Sequence, residues 1–382
     1  MSYSETISNL IENLFENSKR ASSRLLFKRE GSSKDIKELA SDIIDSGNNI
    51  ARVQSAKEFF SIINNLSDCE FKKLMLHLRD DRDINIEKAK LAVKAYDDDK
   101  SEKNYIALQK ANVSERKILF RKLNSFDEST TYLVKLRERI LSSSSKNQNY
   151  NKVDNDLKTL FFDWFNRGFL VLKPIDWNTP AAILEKIIKY ESVHQINSWR
   201  ELRDRINSLD RKCFAFFHPA MGNEPLIFVE IALTSELPKN INQILNTTRS
   251  TSNINKLNKA IFYSISNCQR GLDGISFGNY LIKDVVRYIQ TEIPGIKEFF
   301  TLSPVPGFMD WVKINNYDFY RELNSNLSIE TITDKKKSLN DLVRRYLLVT
   351  NRNDNKPNDS VTRFHIGNGA SMHQINFLAD TS

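Results

Sequence analysis

Three short stretches of the chain hold residue types that can do chemistry. The first is Gln269-Arg270-Gly271-Leu272-Asp273-Gly274-Ile275-Ser276-Phe277-Gly278, which lies between an apolar run and an amphipathic helical pattern. Glycines let a backbone turn sharply and approach a ligand closely. A following helix offers unpaired amides and the positive end of its dipole to a phosphate, and Arg270 can add a charge-assisted hydrogen bond. The same glycines would equally serve the close packing of a helix on a strand. The second stretch is TLSPVPGF, residues 301–308, where two prolines end a strand beside Ser303. That hydroxyl either projects into a cleft or caps a helix starting near Gly307. The third is FHIGNGA, residues 364–370, in which His365 precedes a Gly-Asn-Gly turn. Asn368 tolerates left-handed backbone and can orient an imidazole by hydrogen bonding.

Other constellations are weaker. Gly274-Ile275-Ser276-Phe277-Gly278 matches the G-x-S-x-G nucleophile elbow, and the order Ser276, Asp310 or Asp318, His365 would suit it. An elbow serine sits at the tight end of a strand, whereas seven residues, 268–274, intervene here. The repeated βα units of a hydrolase sheet are also missing, so this reading is the outsider. His218, in a strand-end Phe-His-Pro, suits either a structural or a functional role. His77, His194 and His373 lack HExxH-type spacing, and no metal site is indicated. Cys69, Cys213 and Cys268 are odd in number and lack CxxC spacing, which argues for a reducing compartment and against a disulfide framework. The first residues carry no signal or transit pattern, so a cytoplasmic location is expected.

Backbone punctuation separates the helical part of the chain from the part that carries these stretches. All nine prolines and nine of the eleven glycines lie beyond residue 167. Residues 1–150 therefore read as a helical bundle, a scaffold or oligomerisation surface. Ile7, Leu10, Ile11, Leu14 and Phe15 have helical spacing. Further helices are predicted over 33–46, 54–66, 68–80, 84–97, 102–123 and 126–142, the last opened by a Ser125/Glu128 capping box. SSSSKNQNYN, residues 142–151, reads as a linker to a second domain, 151–382. There a helix resumes at Val153, and Thr179-Pro180 opens another with Thr as cap and Pro in the first turn. Strands are predicted at residues 212–218, 225–234, 260–266 and 298–303, and a late helix near 338–349. The last two strands flank a helix through Leu281, Val285 and Ile289, a crossover that makes them parallel neighbours.

Charge narrows the partners. The formal net charge is +8, but residues 1–150 hold 27 Lys+Arg against 23 Asp+Glu and the remainder 29 against 25. So even a spread lacks the basic stripe of a nucleic-acid footprint, while a mild positive field favours an anionic small molecule. No window approaches about 18 uninterrupted apolar residues, so no membrane span is expected.

Taken together, the motifs resemble the malonyl-CoA decarboxylase family. The resemblance is carried by DWNTPAAILEKII (176–188), FFHP (216–219) with 224–234, residues 260–282, 301–308 and 364–370, and QINFLAD (374–380), in the family's order over about residues 160–382. It implies a helical N-terminal domain before a GNAT-like acyl-CoA-binding catalytic domain, a multidomain α and α+β fold. It implies decarboxylation of malonyl-CoA to acetyl-CoA and CO2 through a thioester enolate. By motif, Ser303 and His365 are the catalytic pair, with Asn368 as the histidine's partner. Gln269, Arg270, Gly271, Gly274, Ser276 and Gly278 become the binding turn for CoA. The thioester is itself the electron sink, so no cofactor or metal is expected. A homo-oligomer, dimer or tetramer, is implied. Family members run on past the LAD segment, so the C-terminus reads as shortened. A GNAT-type acyltransferase and a non-catalytic CoA-binding scaffold are the alternatives.

Overall fold

The computed structural model of the chain describes residues 35–144, 149–246, 256–325, 329–349 and 356–380. The chain divides into two units, one ending at Asn65 and one beginning at Leu66. The helix expected at Ile7 to Phe15 lies outside the described residues. In the first unit, the helices Ile36–Asp45 and Asn49–Asn65 pack together, burying Leu39, Ala40 and Ile43 on one and Ala56, Phe59, Phe60 and Ile63 on the other. The second begins five residues before its expected start, because the Asn48 side chain accepts a hydrogen bond from the Ile50 amide (2.9 Å) and caps it.

The second unit opens with the helices Asp68–Asp80, Ile86–Asp98, Glu102–Ala111, Glu115–Leu123, Ser129–Ser144 and Asn151–Trp164. The helix expected over 102–123 is two helices, the second capped by Ser114, whose hydroxyl accepts from the Lys117 amide (3.2 Å). A capping box is present, but at Ser67 and Glu70. The one expected at Ser125 and Glu128 does not form. Glu128 takes left-handed backbone (φ 73°) and delays the helix to Ser129, whose hydroxyl donates to the Asn124 side chain (2.9 Å). The helix Asn151–Trp164 buries Val153, Leu157, Leu160 and Phe161 and packs on Asp68–Asp80, Glu115–Leu123 and Ser129–Ser144, forming one helical layer.

A five-stranded sheet follows: β1 (Val171–Ile175), β2 (Arg211–Phe217), β3 (Pro225–Thr234), β4 (Lys259–Asn267) and β5 (Glu298–Thr301), in that spatial order. The first three pairings are antiparallel and β4–β5 is parallel, as the crossover pattern required. β1 escaped the sequence reading because it is mostly exposed and contains Pro174, tolerable only on the edge it occupies. One sheet face is covered by the helices Ala181–Tyr190 and Trp199–Ile206, whose Ile183, Leu184, Ile187 and Leu202 pack with Ala215, Phe217 and Phe228. The first of these helices is entered through Pro180, not capped by Thr179. The Thr179 hydroxyl instead accepts from the Asp176 amide (3.0 Å) in the preceding turn. The crossover helix Gly278–Glu292 buries Leu281, Val285 and Ile289 and packs on β2 and β3.

β4 and β5 part early. Their register runs only from Lys259 opposite Glu298 to Phe262 opposite Thr301, with one more bond from the Leu302 amide to the Phe262 carbonyl (2.9 Å). β4 continues to Asn267 while Pro304 and Pro306 carry the other chain away. A cleft opens at that fork. Beyond it come the helices Phe308–Asn315, Tyr317–Leu323, Ile329–Asp334 and Lys336–Arg344, the last extended by a π-helical turn, Arg345–Val349. Phe308, Val312, Tyr346 and Leu347 form their shared core. The helix Ser360–Gly367 completes the wall of the fork.

Candidate functional site

Ser303 stands two residues past the end of β5, in the segment that prolines hold out of the sheet. It caps nothing. The helix Phe308–Asn315 starts from Gly307 without a side-chain cap. The Ser303 hydroxyl oxygen lies instead 3.0 Å from Nε2 of His365.

His365 sits in the last turn of the helix Ser360–Gly367, directly before the turn that Asn368 and Gly369 make. The helix is fixed at its start by the buried Asp359, whose carboxylate accepts from the Thr362 amide (2.8 Å) and the Tyr346 hydroxyl (3.4 Å). Arg363 anchors it further by donating to the carbonyls of Pro357 (2.7 Å) and Asn358 (3.1 Å). His365 is half-buried with the Phe364 ring edge-on against it, and burial pushes its pKa below the usual histidine value. Asn368 does not hold the imidazole as expected. Its amide nitrogen donates to the Phe364 carbonyl (2.7 Å), because the helix end supplies an unpaired carbonyl at that point. Asn368 therefore secures the backbone that carries His365.

Two cavities meet at this pair. One, of about 410 Å³, is lined by the open edge of β4 (Tyr263, Ile265, Asn267), by Gly274, Ser276 and Gly278, and by Ser303 and His365. The other, of about 490 Å³, lies toward Phe300, Leu347, Ile366 and His373 and shares Leu302, Ser303, Pro304, Val361 and His365. The serine–histidine pair thus forms part of a common wall.

The glycine-rich turn divides by role. Gly274, Ser276 and Gly278 face the first cavity. Gln269 donates from its side chain to the Pro225 carbonyl (2.9 Å), and Arg270 is exposed. Gly271 is buried, and a Cβ there would stand 1.9 Å from the Val134 carbonyl oxygen of the helix Ser129–Ser144. For Gly271 the packing alternative holds: it presses the turn onto the helical layer. Arg137 of the same helix locks the contact by donating to the carbonyls of Gly271 (2.8 Å) and Asp273 (2.9 Å), while Asp154 accepts from its Nε (2.7 Å). Sequence reasoning missed Arg137, since an arginine inside an amphipathic helix has no local signature. His218 resolves as structural: its Nε2 lies 3.1 Å from the Trp164 carbonyl and its Nδ1 accepts from the Ala220 amide (3.1 Å). The elbow triad does not assemble, because His365 meets Ser303 and not Ser276.

Among the described residues no helix is long and apolar enough to cross a membrane.

The comparisons with known proteins agree with one another. A family model described as the malonyl-CoA decarboxylase C-terminal domain matches residues 168–382, and one described as the N-terminal domain matches residues 83–165. The mitochondrial malonyl-CoA decarboxylase of Anser anser anser is 31% identical over 302 residues, 69% of this chain and 60% of that protein. Its Rattus norvegicus counterpart is 29% identical over 302 residues, 69% of this chain and 61% of that protein. The chain thus spans about 60% of the length of the curated relatives it matches. The crystal structure of malonyl-CoA decarboxylase from Rhodopseudomonas palustris superposes with a TM-score of 0.82 at 36% identity, covering 92% of this chain and 90% of that one. The one from Agrobacterium vitis gives 0.80 at 42% identity, covering 91% and 88%. With both domain models matched in order and one of them spanning more than half of its residues, the chain belongs to the malonyl-CoA decarboxylase family.

Proposed function

We propose that the protein decarboxylates malonyl-CoA to acetyl-CoA and CO2. The observation that carries the reading is the Ser303–His365 pair, 3.0 Å apart on the wall common to two cavities, in a chain of this family. Breaking the bond between C2 and the carboxylate carbon sends its electron pair into the thioester carbonyl as an enolate. The thioester is the electron sink, so the reaction calls for no cofactor. The developing oxyanion needs a preorganised donor, and the Ser303 hydroxyl supplies it. His365, neutral near pH 7 because burial lowers its pKa, orients Ser303 from Nε2. In this arrangement Nε2–H donates to the Ser303 oxygen; the imidazole then gives the Nε2 proton to C2 while Nδ1 takes up one from solvent. One proton is consumed and CO2 leaves.

The Gly274, Ser276 and Gly278 side of the first cavity takes the pantetheine and phosphate end of the thioester, with malonyl at the pair. Assembly as a homo-oligomer through the helical part belongs to the same reading, supported by the exposed Ile86, Leu91 and Val93. So does a cytoplasmic location, and the free Cys69, Cys213 and Cys268 suit a reducing compartment. Titration with CoA and with malonyl-CoA, each followed by product analysis, tests the function. A decarboxylase releases CO2 and acetyl-CoA. An acyltransferase consumes an acceptor without CO2, and a binding scaffold returns the thioester unchanged.

A further inference from the structure

Gly274 has φ 79°, and a methyl group added there would stand 3.1 Å from Nζ and 3.2 Å from Cε of Lys158. The Lys158 side chain, from the helix Asn151–Trp164, therefore lies against the backbone of the turn that lines the 410 Å³ cavity. Its ammonium is 5.9 Å from the centre of the Phe162 ring, one helical turn further on. Neighbouring cations on this layer are matched by carboxylates: Arg116 by Asp156 (2.7 Å), Arg137 by Asp154 (2.7 Å), and Lys152 by Asp83. Among the described residues Lys158 makes no ion pair. Nor is it needed to satisfy the carbonyls of Gly271 and Asp273, since Arg137 already donates to both. A cation held beside a cavity-lining turn, with the exposed Arg270 on the same turn, suits an anion that arrives with the ligand.

We propose that Lys158 binds a phosphate group at the nucleotide end of the thioester, so that the helical layer takes part in substrate recognition as well as in support. The proposal rests on the reading of the fork as an acyl-CoA site. It makes Lys158 a determinant of affinity for the phosphorylated part of the ligand and not of the chemistry at Ser303 and His365.

The experiment compares ligands with and without the phosphates. Calorimetric titration of the wild type, Lys158→Ala and Lys158→Arg with CoA and with pantetheine is paired with kinetics on malonyl-CoA and malonyl-pantetheine. Lys158→Ala is expected to weaken CoA binding and raise KM for malonyl-CoA by about five- to tenfold, the range for a part-exposed charged hydrogen bond. Its kcat, its affinity for pantetheine and its KM for malonyl-pantetheine should match the wild type, and Lys158→Arg should recover most of the loss. Equal weakening toward CoA and pantetheine, or none toward CoA, overturns the proposal. So does a wild type that does not bind CoA. If the wild type binds CoA in a Lys158-dependent way but releases no CO2, the decarboxylase reading fails while the phosphate contact stands. Thermal melting of each variant separates a lost contact from a lost fold.

Discussion

The hydroxyl oxygen of Ser303 and the Nε2 of His365 lie 3.0 Å apart although 62 residues separate them in the chain. Each is delivered by a different device: Ser303 by prolines that lift the chain off β4, His365 by a helix capped at Asp359. Groups that act as one unit lose their effect together. Ser303→Ala and His365→Ala should each lower kcat by about 10²–10⁴-fold, and the double variant should fall little below the worse single one. Steady-state kinetics on the three variants measures this. Fully additive losses would mean that the two side chains act independently.

The pH dependence follows from the burial of His365, which favours the neutral imidazole and lowers its pKa. With the neutral form as the working form, kcat/KM should stay level from about pH 7 to about pH 8.5. An imidazolium donor would instead lose about tenfold for each pH unit above its pKa. A pH–rate profile, with the imidazole titrated by NMR in the free protein, decides between them.

The seat of the turn can be tested at Gly271. A Cβ at this position would meet the Val134 carbonyl oxygen at 1.9 Å, and Val134 is backbone within a packed helix that cannot yield cheaply. Gly271→Ala should cost about 1–3 kcal/mol or more in folding stability, the range for forced overpacking. It should also weaken CoA binding, because Arg137 loses its grip on the Gly271 and Asp273 carbonyls. Denaturant unfolding and CoA titration read the two effects. An unchanged unfolding midpoint would show that the turn is not clamped there.

What could be read from sequence was local. Ser303 and His365 stand out because prolines and glycines interrupt regular structure around them, and β3 because its apolar run is bounded by Pro225 and by the polar residues after Thr234. Their partnership follows from the family resemblance and not from local pattern, since it is made by the early parting of β4 and β5. Asn368 was misplaced for a related reason: the end of a helix and a side-chain partner compete for the same amide, and the helix end won. Lys158 and Arg137 carry no signature at all. A cation in an amphipathic helix reads as a solvated face until the fold sets a turn against it.

Decarboxylation at the Ser303–His365 pair is read most directly in a single reaction of the purified protein with malonyl-CoA labelled in its free carboxyl, run in D2O. The expected result is labelled CO2 released in step with acetyl-CoA, one solvent deuteron in each acetyl methyl group, and loss of both products in His365→Ala. Labelled malonyl-CoA recovered intact, or malonyl transferred to an acceptor without CO2, would contradict it.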